Sequence, residues 1–397
     1  MNDTIGIGQI GYAFMGRAHS QAWHTVGRLL NPPLRPRPVV LCGRNLGQVT
    51  AAADRLGWEA AETDWRAVVA RPDVDLVDIC TPGDSHAEIA IAALEAGKHA
   101  LCEKPLANSV AEAEAMTAAA ERAAQAGIVA TVGFNYRRVP AIALARQLVA
   151  DGRVGAVRHV RATYLQDWIV DPEFPLVWRL QRDRAGSGAL GDIGAHAIDL
   201  AQFVTGELLT DVSARTTTFI SHRPLPGASD GLSATGDTGR TGEVTVDDAA
   251  IFTARLSGGG LGTFEATRFA TGRKNALRLE VNGSRGSLAF DFEAMNELWF
   301  YDHTEPADTA GFRRILVTEP EHPYLAGWWP PGHGLGYEHT FAHQALDLLT
   351  GIAQRRPVRP TFADGLQVQR VLDAVERSAA DDSRLTAVAQ PDPVPAH

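Results

Sequence analysis

The chain has 397 residues, a formal net charge of −10 and a hydrophobic fraction of 45%. At roughly 150 residues per domain this length predicts two or three domains, and the composition excludes a mainly disordered chain. The acidic balance argues against a broad nucleic-acid or anionic-membrane surface, though not against a local basic pocket for a phosphorylated cofactor. Cys42, Cys80 and Cys102 are too few, and spaced wrongly, for a disulfide framework or a zinc site. They read as small buried residues in a reducing cytosol. Met1-Asn2-Asp3-Thr4 shows no basic leader region and no apolar run is long enough to span a bilayer, so a cytoplasmic location is expected. Lysine stands only at Lys98, Lys104 and Lys274, arginine serving elsewhere. A lysine kept in such a chain suits chemistry in which a proton is released.

In chain order, Ile5–Ile10 reads as a strand and Gly16–Leu30 as a helix. A proline-rich loop, Asn31–Pro38, precedes strand Val39–Cys42 and helix Leu46–Leu56. Leu76–Cys80, Ala100–Cys102 and Ile128–Val132 read as strands separated by helices His86–Ala96 and Val110–Ala126. Strands alternating with helical periods predict βαβ units and a parallel sheet. Past about residue 135 the texture changes. Pro140–Asp151 and Gly188–Val204 read as helices, and Val157–Leu165 alternates like a strand. Ser213–Ile220, Ala249–Leu256, Gly262–Thr267, Leu277–Val281, Gly286–Asp291 and Glu297–Tyr301 follow as strands in series, with a turn at Asn282-Gly283. Serial strands predict an antiparallel sheet. Gly227–Gly242 reads as a mobile surface loop, Tyr337–Ile352 and Phe362–Asp381 as helices, and Pro391–His397 as a frayed tail. The fold class is therefore α/β, a doubly wound parallel sheet followed by a second domain.

The first motif is Gly11-Tyr12-Ala13-Phe14-Met15-Gly16, between a strand and a helix. It has the GxGxxG form with alanine in the middle. Such a loop needs a tight turn at Gly11, close approach of backbone to a pyrophosphate at Ala13, and close helix–strand packing at Gly16. The helix N-terminus then offers amide donors to the phosphates. A purely structural turn has the same pattern. The second strand ends in Gly43-Arg44 with no acidic residue to hold ribose hydroxyls. Arg44 could pair with a 2′-phosphate, which leans the cofactor from NAD towards NADP. A solvated arginine stacking on adenine would serve either.

Glu103-Lys104-Pro105 follows a strand, on the edge where ligands of open parallel sheets bind. Thr81-Pro82, with His86 opening the next helix, ends the preceding strand at the same edge. An ammonium there could polarise a carbonyl or hold a developing alkoxide; on pattern alone Lys104 is as readily a surface charge. Asp192 and His196 stand four apart in a helical stretch and so share a face. A carboxylate beside an imidazole suits it to general-base work near neutral pH. On spacing alone, a surface pair or a capping Asp with a core His fits too. No metal is expected, since no third ligand stands at a diagnostic spacing.

Gly11-x-Ala13-x-x-Gly16, Thr81-Pro82 with His86, Glu103-Lys104-Pro105, Asn135-Tyr136-Arg137-Arg138 and Gly191-Asp192-x-x-x-His196 occur in this order. Together with Ala363-Asp364-Gly365-Leu366 before the last helix, they resemble the glucose–fructose oxidoreductase and inositol dehydrogenase family over nearly the whole chain. The resemblance implies an NAD(P)-binding Rossmann domain over 1–135. It implies a substrate-binding and oligomerisation α/β domain over 136–390, with a large open, mostly antiparallel sheet whose face makes homodimers or homotetramers. The implied activity is oxidation of a ring secondary hydroxyl of a sugar, anhydrosugar or cyclitol, with hydride passed to nicotinamide. Lys104, Asp192 and His196 are then the catalytic set. Gly11, Ala13, Phe14, Met15, Gly16, Gly43, Arg44, Thr81, Pro82, His86, Glu103, Lys104 and Asn135 would contact the cofactor. Arg137, Gln166, Trp168 and Arg179 would join Asp192 and His196 against the substrate. The stretch 322–337 is either a lid or a packed surface loop. Two other readings stand beside this one, an NADPH-dependent keto-sugar reductase and a non-catalytic dinucleotide-binding sensor.

Overall fold

The computed structural model describes residues 3–227 and 235–390. The chain opens with β1 (Thr4–Ile10), α1 (Phe14–Leu29), β2 (Arg35–Cys42), α2 (Leu46–Leu56), β3 (Ala60–Glu62) and α3 (Trp65–Ala70). It continues with β4 (Leu76–Ile79), α4 (His86–Glu95), β5 (His99–Cys102), α5 (Val110–Ala124) and β6 (Ala130–Val132). These six strands form one parallel sheet in the order β3-β2-β1-β4-β5-β6. The strand order reverses between β1 and β4, the switch point beyond which doubly wound sheets bind ligands. The fold class is thus α/β with a Rossmann sheet, as the alternating pattern implies.

Two local differences have clear causes. The second half of the proline-rich stretch, Arg35–Pro38, is strand rather than loop, because β2 pairs with β1 from Arg35 onward while β3 reaches only Val40–Cys42. Pro36 and Pro38 therefore lie where the outer side has no ladder, and their missing N–H groups forfeit no bond there. The short β3 and α3 carry too little periodicity to be seen in sequence.

Next come α6 (Pro140–Ala150), β7 (Val157–Leu165), α7 (Arg182–Ala185), a π-helical turn Leu190–Gly194 and α8 (Ala195–Thr205). β8 (Leu209–Thr217), β9 (His222–Pro226), β10 (Gly236–Glu243), β11 (Ala249–Leu256), β12 (Leu261–Thr267) and β13 (Ala276–Gly283) follow. The remainder is β14 (Gly286–Asp291), β15 (Glu297–Asp302), β16 (Arg313–Leu316), α9 (Tyr337–Gln354), α10 (Phe362–Ala380) and β17 (Thr386–Ala387). A nine-stranded sheet has the order β16-β15-β14-β13-β7-β12-β11-β8-β17. Only β7 and β12 run parallel in it. One face of this sheet packs on α6 and α8. The other shows residues such as Arg161, Ile251, Leu261 and Trp299 to solvent, and β11 has the in–out alternation of a half-covered sheet.

The stretch expected as a loop from Gly227 is partly a hairpin, since β10 pairs with β9. Residues 228–234 of that stretch, and the tail from Pro391 to His397, lie outside the described residues. The β13–β14 turn falls at Ser284-Arg285, not at Asn282-Gly283, because Asn282 still pairs with Ser287.

Two compact units emerge, 1–138 with 324–366 and 139–323 with 367–397. This differs from a single break at 135/136. The cause is α9, whose Ala345, Leu348, Leu349 and Ile352 share a core with Trp23 and Val26 of α1 and with Ile5, Ile7 and Leu76 of the parallel sheet. An apolar stripe on a late helix predicts burial, but not against which sheet.

Candidate active site

In the first unit the glycine loop is fixed by steric necessity. Gly11 has φ +103°, and a Cβ on it would sit 2.6 Å from the carbonyl oxygen of Cys80 at the end of β4. A Cβ on Gly16 would sit 2.1 Å from the carbonyl oxygen of Gly11. The loop thus lies against the β1/β4 switch point. Gln9, buried and not singled out by sequence, laces it by donating to the carbonyls of Gly11 (2.9 Å) and Gly16 (2.8 Å). Ala13 is the N-cap of α1 and its side chain caps nothing, so the first-turn amides from Phe14 onward suit an incoming anion. These features fit a dinucleotide pyrophosphate. Gly43 follows β2 beneath the Tyr12 ring, and Arg44 beside it is exposed.

Thr81 and Pro82 follow β4. The ring nitrogens of His86, which is buried, lie 2.9 Å from the carbonyl oxygen of Thr81 and 3.0 Å from that of Pro105. His86 therefore clamps the segments after β4 and β5 together. Lys104, half-buried after β5, donates its backbone N–H to Glu103 Oε2 at 3.2 Å. Glu103 Oε1 lies 3.1 Å from Nε2 of His19, whose Nδ1 lies 2.8 Å from Asp78 Oδ1. Trp23 donates to the other Asp78 oxygen at 2.8 Å. Burial lowers the basicity of His19, but the charge and hydrogen bond of Asp78 outweigh it and raise the imidazole well above its ordinary value. Ligand atoms of His19, Asp78 and Cys80 lie within 4.8 Å of one another. Burial pushes the Cys80 thiol up, away from the thiolate a metal would need.

Asn135 is buried and donates to Thr340 on α9 at 2.8 Å. Arg137 is also buried, with its guanidinium 3.8 Å from Asp364. It thus belongs to the first unit, while Gln166, Trp168, Arg179, Asp192 and His196 belong to the second. Of the stretch 322–337, the part from Tyr324 to Trp328 is packed on α9. The Tyr324 ring stacks on His343 at 4.6 Å, and Trp328 donates to His343 Nε2 at 2.7 Å.

In the second unit, Asp192 lies on the π-helical turn and His196 in the first turn of α8. The wider π turn replaces the regular helical spacing read from sequence; such turns recur at functional sites. Asp247 holds the entrance to this turn, its carboxylate accepting from the amides of Gly188 (2.7 Å) and Leu190 (2.8 Å). Gly188 is obligatory, since a Cβ would lie 1.7 Å from the Asp247 carbonyl oxygen. His196 is buried, with the Tyr164 ring 6.0 Å away. Tyr164 and Gln166 both donate to Asn275 Oδ1, at 2.7 and 2.8 Å, and Trp168 donates to Gln166 Oε1 at 2.9 Å. Arg179 lies over the Trp178 ring at 4.3 Å. Sequence reading missed Asn275 and Arg268. The latter is wholly buried, 3.3 Å from Asp192. An imidazole, a carboxylate, an amide chain and an indole can together bind hydroxyls and move a proton.

Residues 5–133 match the family described as oxidoreductase, NAD-binding Rossmann fold, and residues 142–289 the GFO/IDH/MocA C-terminal domain. Levoglucosan dehydrogenase of Pseudarthrobacter phenanthrenivorans is 44% identical over 384 residues, covering 96% of this chain and 97% of that protein. The chain belongs to the GFO/IDH/MocA oxidoreductase family. An oxidoreductase domain protein from Kribbella flavida superposes on this family member with a TM-score of 0.93 at 65% identity, covering 98% of this chain and 100% of that one. A levoglucosan dehydrogenase solved in complex with NADH and levoglucosan superposes with a TM-score of 0.91 at 42% identity, again covering 98% and 100%. As a GFO/IDH/MocA protein the chain is an NAD-binding oxidoreductase. Among its described residues no helix is long and apolar enough to cross a membrane.

Proposed function

We propose that this oxidoreductase removes hydride from a ring carbon bearing a secondary hydroxyl in a sugar, anhydrosugar or cyclitol. The observation that carries the reading is the second-unit wall, where His196, Gln166 and Trp168 stand with Tyr164 and Asn275, and where Asp192 and Trp168 both lie against Arg268. Indole faces suit the C–H side of a ring polyol and the amide and carboxylate suit its hydroxyls. Similarity to levoglucosan dehydrogenase at 44% identity supports the anhydrosugar class.

The loop Gly11–Gly16, Thr81, Pro82 and Asn135 would hold the dinucleotide, whose nicotinamide supplies a hydride acceptor. In this reading His196 takes the hydroxyl proton as hydride leaves the carbon. Lys104 holds the oxygen while its charge develops, and Asp192 accepts a neighbouring hydroxyl. Arg44 gives the dinucleotide site its lean towards NADP, and it would favour the reductive direction on a keto-sugar as the second reading. The solvent-facing side of the nine-stranded sheet, with Ile251, Leu261 and Trp299, would join copies into homodimers or homotetramers in the cytoplasm.

The test is initial-rate reduction of NAD and of NADP against inositols, aldoses, glucosides and levoglucosan, with Lys104→Met and His196→Ala alongside. Turnover on a ring polyol, lowered about 100-fold or more in both variants, is expected. Unchanged turnover in both variants overturns the mechanism. Turnover only from keto-sugars with NADPH supports the reductase, and cofactor binding without any turnover supports the sensor.

A further inference from the structure

Arg268 follows the last residue of β12, where a sequence reading sees only a charge after a strand. The structure buries it completely. A buried guanidinium is costly unless it is well paired, so its partners show what it is for. Nη1 donates towards Asp192 Oδ2 at 3.3 Å and towards the Arg179 carbonyl at 3.5 Å, and Nη2 towards the Asp247 carbonyl at 3.3 Å. The guanidinium carbon lies 5.4 Å from the centre of the Trp168 ring. Its buried Nε meets no acceptor among the described residues. Its charge is spread over three long contacts rather than held in a close two-pronged pair.

Those contacts share a theme. Asp192 is the carboxylate of the proposed site. Arg179 and Trp168 are both assigned to the substrate wall. Asp247 is the residue that grips Gly188 and Leu190 at the entrance of the π turn carrying Asp192. One side chain therefore ties the carboxylate to the segment bearing the aromatic wall. A guanidinium only donates, so Asp192 meets it as an acceptor.

We infer that Arg268 is a positioning and specificity residue, fixing Asp192 as an aimed hydroxyl acceptor against the Trp168 wall. The inference rests on the reading of Asp192 as a substrate-binding group. The substrate consequently presents a hydroxyl donor beside the carbon that is oxidised.

The experiment is a double-mutant cycle on the full-length enzyme, with Arg268→Met, Asp192→Asn and both together, using the best polyol of the panel and fluorescence titration with NADH. Arg268→Met is expected to raise KM for the polyol by about 10- to 100-fold. NADH affinity, a property of the first unit, should stay within about twofold. On the Asp192→Asn background Arg268→Met should add less than about threefold, because its target is already gone. Should Arg268→Met not fold, Arg268→Lys, which keeps the charge and loses the fork, is expected to raise KM while kcat stays within a few-fold. That rise should vanish on the Asp192→Asn background. Fully multiplicative losses in the cycle overturn the positioning role of Arg268. Wild-type behaviour of Asp192→Asn alone instead overturns the reading of Asp192, which separates the two failures.

Discussion

Nε2 of His19 lies 3.1 Å from Oε1 of Glu103, with both groups buried. The other oxygen of Glu103 takes the backbone N–H of Lys104, and the other nitrogen of His19 meets Asp78. A buried cation between two carboxylates thus braces the backbone from which Lys104 projects. Burial opposes the charge on His19 and the Asp78 carboxylate restores it, leaving the imidazole well above its ordinary value. A base raised in this way lends stability fully below the unfolded value near pH 6.5 and loses it as pH climbs through the folded value. His19→Gln should therefore cost on the order of 3 kcal/mol near pH 6 and progressively less in alkaline buffer. Thermal melts of both proteins across pH 6 to 10 check this. A gap in Tm that fails to narrow would show that His19 is neutral.

The opposite sign holds at His343. Burial pushes its imidazole down to about 3. Its Nε2 accepts from Trp328, so the folded state needs the neutral ring, whose Nδ1–H then donates to the Arg138 carbonyl at 3.0 Å. Folding stability from this group is complete above about pH 6.5 and is lost as pH falls towards 3. Acidification should release Trp328 and shift its fluorescence in a transition absent from Trp328→Phe. Identical acid titrations of the two proteins would refute the assignment.

Gly11 has no permissible side chain. Its positive φ and the 2.6 Å approach to Cys80 exclude even a methyl group. Gly11→Ala should weaken NADH binding by about 100-fold or more, since the turn that aims the α1 amides must open. Isothermal titration with NADH, with circular dichroism to confirm folding, measures it.

The proposed pairing of Arg44 with a 2′-phosphate is open to test at the end of β2. Arg44→Ala should lower kcat/KM for NADP by about tenfold and leave NAD nearly unchanged, because only the 2′-phosphate is lost as a partner. An acidic residue at Gly43 requires the Tyr12 ring to move, as its Cβ would lie 2.0 Å from that ring. Gly43→Asp should therefore impair both cofactors, and should select NAD once Tyr12→Ala makes room. Equal responses of NAD and NADP to Arg44→Ala would remove Arg44 from the recognition of phosphate.

Much of the first unit was legible because alternating periods and a glycine loop have few physical solutions. The Rossmann strands at Ile5–Ile10 and Leu76–Ile79 follow from apolar runs bounded by turns. What stayed hidden depended on distant partners. The prolines of β2 are admissible only because β3 is short. The β9–β10 hairpin lies in a Gly- and Thr-rich stretch whose composition resembles a loop. Lys104, Asp192 and His196 stood out through motif and spacing. Arg268 could not, because an arginine after a strand is ordinarily solvated and only tertiary packing buries it.

The chain passes between its two units at Arg138, again at Pro323, and a third time inside α10 at Leu366. Synthesis runs in one direction, so the parallel sheet emerges long before α9, the helix that completes its core. At roughly 5–20 residues per second, the intervening segment of about 185 residues takes on the order of ten to forty seconds to make. During that time the α1 surface around Trp23 and Val26 is uncovered on the nascent chain. Cutting the gene after residue 138 makes that interval permanent, and the free amino-terminal piece would carry an apolar wound where α9 belongs.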